Sequence, residues 1–215
     1  YHGPTLMGYL ETVDIEDVAQ QRPLRMPVQW VNRPNLDFRG FAGTIASGMV
    51  RQGDKVRVLP SGRESTVTRI VTMDGDLDHA IAGQAITLTL ADEIDISRGD
   101  VIARPDDLPG VADQFEAVVV WMSDEPMLPG RPYWLKTGTK QVSATITEPK
   151  YKVNVNTLEH LAAKKLELNE IGVCNVSLDQ PIAFDPYEQC HETGSFILID
   201  RLSNATVGAG MIHFA

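Results

Sequence analysis

The apolar positions of this chain change period after its first two dozen residues. Leu6, Leu10 and Val13 recur at i, i+4 and i+7, which places them on one face of a helix. Pro4 suits the first helical position, where its missing N–H leaves no bond unmade, so a short helix is expected to end near Val13. Asp14 to Leu24 is polar, contains Pro23, and reads as a linker.

From there the period is two. In Lys55–Leu59, Val56 and Val58 share a face while Lys55 and Arg57 point away, as in a half-buried strand. Pro60, Ser61 and Gly62 then supply a three-residue hairpin connection. Ile86, Leu88 and Leu90 alternate with Thr87 and Thr89, and Val142, Ala144 and Ile146 alternate with Ser143, Thr145 and Thr147. Phe115 to Met122 is apolar on both faces, as a strand covered on both sides would be. Phe196 to Ile199 and Ala205 to Phe214 read as late strands. The exception is Asn156 to Asn169, where Leu158, Leu161, Ala162 and Leu166 have helical spacing and predict a turn or more of helix.

Short strands at close spacing, punctuated by Gly and Pro, define an all-β chain of the barrel or sandwich kind. RPDDLPGVA (Arg104 to Ala112) breaks every periodic pattern and marks a boundary. The expected organisation is a helix and linker over 1–24, a β unit over 25–104, a linker over 105–112 and a second β unit over 113–215.

Composition narrows the function classes. The 215 residues carry a formal charge of −10, with 11 basic against 16 acidic residues in positions 1–110 and 8 against 13 in positions 111–215. Neither half has the basic excess that phosphate neutralisation needs, so nucleic acid is a disfavoured partner. The longest apolar runs fall far short of the roughly 20 residues of a membrane span, so no membrane partner is expected. Cys174 and Cys190 are too few for a disulfide framework, and a reduced, cytoplasmic setting is expected. The start Tyr1-His2-Gly3-Pro4 lacks both Met and a signal segment, as in a piece of a longer chain.

Each candidate for chemistry is weaker than its bland alternative. Asp74, Asp76 and Asp78 match positions 1, 3 and 5 of a calcium loop, but His79 and Ala85 stand where glycine and the bidentate glutamate belong; a solvated acidic turn is the better reading. Cys190-His191 with Cys174 lacks C-x-x-C spacing for zinc and a third group to orient a nucleophile. His2, His79, His160 and His213 are scattered singly. Gly208-Ala209-Gly210 lacks the third glycine of a dinucleotide loop and fits a bulge or close backbone packing. Trp30, Trp121, Tyr133 and Trp134 could anchor an interface or belong to the core. No G-x-x-x-x-G-K-[ST] occurs and no glycine precedes a lysine. No catalytic, cofactor-binding or metal residue is therefore assigned.

RGFAGTIASGMVRQGDKVRVLPSG (Arg39 to Gly62), AGQAITLTL (Ala82 to Leu90) and DISRGDVI (Asp95 to Ile102) together resemble the second domain of translation-factor GTPases. FEAVVVWMSDEPMLPGRPYWLKTGTKQVSATI (Phe115 to Ile146), NEIGVCNVSLDQPIAFDPY (Asn169 to Tyr187) and TGSFILIDRLSNATVGAGMI (Thr193 to Ile212) resemble one branch of that superfamily, the large GTP-hydrolysing subunit of bacterial sulfate adenylyltransferase. YHGPTLMGYLETV (Tyr1 to Val13) is similar to the helix that closes its GTP-binding domain. The resemblance implies two consecutive closed antiparallel Greek-key barrels. It also implies partnership with a small catalytic subunit, which makes adenylyl sulfate and pyrophosphate from ATP and sulfate, and with the chain's own N-terminal GTPase domain. GTP and magnesium would belong to that domain, so the barrels by themselves are expected to be inactive and to serve as a scaffold and coupling element. Two other readings are barrels that grip tRNA, against which the acidity counts, and a regulatory module with an apolar ligand pocket.

Overall fold

The computed structural model describes residues 3–13, 18–35 and 37–214. Helix α1 (Leu6–Thr12) begins at an N-cap, Thr5, whose side-chain oxygen accepts from the Gly8 N–H at 3.1 Å. Pro4 thus stands ahead of the cap rather than at the first helical position, because the threonine hydroxyl supplies what an exposed helix start lacks. The helix ends at Val13, and none of its residues is buried. A single turn, α2 (Val18–Gln21), interrupts the expected linker. Residues 14–17 of that linker, and His2, lie outside the described residues.

The first β unit contains β1 (Arg25–Pro27), β2 (Trp30–Asn32), β3 (Gly40–Thr44), β4 (Met49–Arg51), β5 (Lys55–Leu59), β6 (Arg63–Thr72), β7 (Gly75–Leu77), β8 (His79–Ile81), β9 (Ala85–Leu90) and β10 (Val101–Ala103). Its main sheet runs β1-β10-β5-β6-β9-β3-β2, all antiparallel. The sheet curls round on itself because Arg25, paired with Ala103 on one side, bridges Ser47 just beyond β3 on the other. Val56, Val58, Ile86 and Leu88 point into the enclosed core with Met26, Phe41 and Ile70. Pro60, Ser61 and Gly62, the last at φ +75°, join β5 to β6 as the pattern predicts.

The second unit contains β11 (Gly110–Trp121), β12 (Pro132–Thr137), β13 (Lys140–Ile146), β14 (Tyr151–Val153), β15 (His160–Leu161), β16 (Ile171–Phe184), the one-turn helix α3 (His191–Gly194), β17 (Ser195–Ile199) and β18 (Thr206–Phe214). The pairings β11-β18-β17-β12-β13-β16 close into a ring through β11 against β16. Phe115, Trp121, Tyr133, Leu135, Ile146, Phe184 and Phe196 fill it. Trp121 is held edge-on to Tyr133 at 5.6 Å between centroids and donates from Nε1 to the Glu125 carbonyl at 2.7 Å, so its polar atom is satisfied inside an apolar core.

Two expectations need correction here. The strand expected to be covered on both faces buries only one: Phe115, Ala117, Val119 and Trp121 point inward, while Val118 and Val120 remain half-buried outside. The β11 backbone is hydrogen-bonded on both sides, but among the described residues no second sheet packs on its outer face. The segment Asn156 to Asn169 is not helical. It forms turns around the β14–β15 pair, where the Asn154 side chain accepts from the Asn156 N–H at 3.0 Å and Leu158 adopts φ +61°. Only Leu166 of the four spaced residues is buried, under the second barrel, so the apparent helical face never had a surface to cover.

Candidate functional site

Among the described residues, the most elaborately bonded buried polar site is the seam between the barrels. β1 opens the first barrel with a charge between two buried apolar neighbours, Leu24 and Met26, and that charge, Arg25, is itself only 3% exposed. Asp185 follows β16 directly and is 4% exposed. The Arg25 guanidinium donates from Nε to Asp185 Oδ2 at 2.9 Å and from Nη2 to Oδ1 at 2.9 Å, a two-pronged arrangement. Its Nη1 donates to the carbonyls of Leu24 and Asp107, and the Thr193 hydroxyl in α3 donates to Asp185 Oδ2 at 2.7 Å. A buried charge pair tolerates desolvation only when its remaining polar atoms are also bonded; here they are.

Other contacts extend the seam. Arg22 donates to the Gln189 carbonyl at 2.7 Å and Thr139 to the Val28 carbonyl at 2.8 Å. Gly99, at φ +93°, lies so close to Lys140 that an added Cβ would stand 2.7 Å from the lysine side chain. The two barrels are thus joined by a buried pair, three flanking contacts and the 104–109 connection.

The residues singled out from sequence are not brought together. Asp76 pairs with Arg69, its Oδ2 accepting at 2.6 Å, and that hydrogen bond holds its carboxyl below the usual range; Asp74 and Asp78 flank it on the exposed β6–β7–β8 turns. Cys174 is fully buried on β16, and burial pushes its thiol up to about 12. Cys190 is buried at the N-cap of α3, and His191 stacks on Tyr187 at 4.3 Å. His160 stacks on Tyr151 at 3.8 Å, while His79 and His213 lie exposed on β8 and β18. Among the described residues no group of three or more His, Cys, Asp or Glu could hold a metal ion, and no helix is long and apolar enough to cross a membrane.

Gly208 and Gly210 lie within β18, and Gly210 packs face-on to Phe196, whose ring would stand 2.1 Å from an added Cβ. Of the four large aromatics, Trp121 and Tyr133 are core, Trp134 is half-buried beneath Arg201 at 4.1 Å, and Trp30 is 68% exposed on the sheet-edge strand β2. Sequence reasoning passed over Arg25 and Asp185. The available signal was faint: a lone charge inside an apolar strand start, and an aspartate closing an apolar run.

Two folded units with this seam define a tandem of elongation-factor barrels. Residues 42–103 match the model of elongation factor Tu domain 2, and residues 114–213 that of the GTP-eEF1A C-terminal domain-like family. Sup35 complexed with GDP superposes over 99% of this chain and 52% of its own, with a TM-score of 0.83 at 18% identity, which speaks for the fold alone.

More particularly, the chain belongs to the family of sulfate adenylyltransferase subunit 1. It is 57% identical over 212 residues to that subunit from Aeromonas hydrophila, covering 99% of this chain and 45% of the relative. It is 58% identical to the bifunctional enzyme NodQ of Rhizobium sp. (strain N33), covering 99% and 33%, and 57% identical to the bifunctional enzyme CysN/CysC of Xylella fastidiosa, covering 99% and 34%. The chain thus spans a third to somewhat under half the length of these curated relatives.

Proposed function

We propose that the chain is the two-barrel portion of the GTP-hydrolysing subunit of a sulfate adenylyltransferase. In this reading the whole assembly joins sulfate to the adenylyl group of ATP, releasing pyrophosphate, and GTP hydrolysis drives that unfavourable step. GTP and magnesium belong to a preceding domain, and no residue of this chain is assigned to them. The barrels hold that domain in place and offer surface to a small catalytic subunit; by themselves they turn over nothing. The reading of the barrels as a tRNA grip has no support among relatives of more than half identity.

The seam carries this reading. A relay needs an element that moves as a unit rather than deforming, and the buried Arg25–Asp185 pair makes the two barrels such a unit. Helix α1 supplies the input side: it exposes Leu6, Met7, Tyr9 and Leu10, each more than half accessible, a face suited to a preceding domain. A change in how that domain rests on α1 would reach the far barrel as a rigid displacement.

Calorimetric titration of this chain with the small subunit of a sulfate adenylyltransferase tests the partner role, with binding in the micromolar range expected. Absence of binding at high micromolar concentrations overturns it. Pyrophosphate release from ATP and sulfate by this chain alone would overturn the assignment of catalysis elsewhere.

A further inference from the structure

The turn between β6 and β7 holds Asp74-Gly75, the single Asp-Gly step of a sequence that has no Asn-Gly. Met73 and Asp74 bridge Thr72 and Gly75, which face each other across the ladder, and residues 73–76 are all exposed. Gly75 stands at φ +124°, and a Cβ added there would meet nothing within 4 Å, so open space surrounds it. Among the described residues no hydrogen bond or ion pair engages the Asp74 carboxyl, whereas Asp76 is held by Arg69 at 2.6 Å. β7 pairs with β6 alone and lies off the path of strands that encloses the core. Just beyond it the Asp78 carbonyl accepts from the Gln52 N–H at 3.0 Å, which fixes the chain again. The tip can therefore change shape without opening the barrel.

We infer that Asp74 is a site of spontaneous isoaspartate formation in the folded protein. The Gly75 amide nitrogen bonds to Asp74 Cγ, the carboxyl OH leaves as water with the amide proton, and the product is a cyclic imide one water lighter. Water then adds to either imide carbonyl. Breaking the bond from the Gly75 nitrogen to Cγ restores aspartate; breaking its bond to the Asp74 carbonyl carbon reroutes the backbone through Cγ and leaves the α-carboxylate as a side group. Nothing is oxidised or reduced. Glycine makes closure easy because no side chain shields the attacking nitrogen, whereas Leu77 and His79 hinder the same attack on Asp76 and Asp78. The rerouted backbone is one carbon longer between residues 74 and 75, so the Thr72–Gly75 and Val71–Asp76 register and the Arg69–Asp76 pair cannot all persist. The exposed α-carboxylate it creates is the chemical group that an S-adenosylmethionine-dependent carboxyl methyltransferase can esterify.

The test is prolonged incubation of this chain at near-neutral pH, beside a free peptide of residues 72–77, with circular dichroism confirming that the protein stays folded. Isoaspartate is counted by methyl transfer from radiolabelled S-adenosylmethionine with an isoaspartyl methyltransferase and placed by fragmentation mass spectrometry. Wild type should accumulate isoaspartate at residue 74, at a rate within an order of magnitude of the peptide's, and several times more there than at Asp76 or Asp78. Asp74→Glu, whose longer side chain closes a ring far less readily, should abolish methyl acceptance in this segment. Asp74→Asn should convert several times faster than wild type and release ammonia. Isoaspartate in the peptide but not in the folded protein overturns the inference, because the hairpin then shields the step. Equal accumulation at Asp74, Asp76 and Asp78 overturns it as well, because Gly75 then confers no selectivity.

Discussion

Arg25 and Asp185 are 160 residues apart in the chain, yet their side chains meet through paired hydrogen bonds in a seam that almost excludes solvent from both. Each group is the other's condition for being buried. Among the described residues, Thr193 is the carboxylate's one further side-chain donor.

Removing both partners should therefore cost less than the two single removals added together. Arg25→Ala leaves a buried carboxylate facing an empty seam, and Asp185→Ala leaves a buried guanidinium; each should lower stability by about 3–5 kcal/mol. The double variant should be less destabilised than the sum of the singles, because the unpaired charge disappears with its partner. Arg25→Lys should fall between, since an ammonium cannot serve both the carboxylate and the carbonyls of Leu24 and Asp107. Urea midpoints for the four variants check this, and additive single effects would contradict it.

Acid should weaken the fold through identifiable carboxyl groups, Asp200 and Glu170 among them. Backbone N–H groups of Ser203 and Leu202 hold Asp200 below the usual carboxylate range, and the Lys152 ammonium does the same for Glu170. A carboxyl whose pKa is lower in the folded than in the unfolded chain binds fewer protons when folded. Its contribution is therefore complete above the unfolded value of about 4 and is lost as pH falls through the folded value. The urea midpoint should be flat from about pH 7 to 5 and decline below about 4. In Asp200→Asn and Glu170→Gln the midpoint should be lower near neutrality and the acid decline shallower.

The contrast between what sequence shows and what it hides follows from the range of the interactions. Val56 and Val58, or Val142, Ala144 and Ile146, declare their strands because alternation is local and one face of each is buried. Leu158, Leu161 and Leu166 mislead because their spacing fits a helix, while the turn set by Asn154 and the burial of Leu166 alone in the core of the second barrel decide the backbone. Val118 and Val120 look like core because they are apolar, yet they lie on the outer face of β11 and stay half-buried. The seam is invisible for a related reason: an arginine and an aspartate say nothing of each other until two folded units bring them together.

Cys174 should resist thiol reagents for as long as the chain stays folded. The thiolate is the reactive form, and a thiol pushed up to about 12 by burial is ionised to only about one part in ten thousand at pH 8. Labelling with a chromogenic disulfide followed by peptide mapping should find the Cys174 peptide unmodified in native protein and modified in about 6 M guanidinium, a concentration well above typical unfolding midpoints. Rapid native labelling would show that β16 opens far more readily than its place in the closed ring implies.

Gly210 gives a sharper probe of the second barrel than any of its large residues. It stands opposite Phe196 in the β17–β18 ladder, and an added Cβ would come within 2.1 Å of the ring, with two more ring atoms at 2.6 Å. That ring is fixed in turn by Phe115 at 5.8 Å between centroids, so it cannot swing away without opening the core. Gly210→Ala should cost about 1–3 kcal/mol as overpacking. Phe196→Leu alone should cost a similar amount by leaving a void. Combined, the smaller leucine gives the new methyl room and the methyl takes up part of the void, so the double variant should be more stable than the sum of the singles by about 1 kcal/mol. Strict additivity in urea unfolding would mean that the strands separate to accommodate the methyl, and that the close approach of Gly210 to Phe196 is not what sets the spacing of β17 and β18.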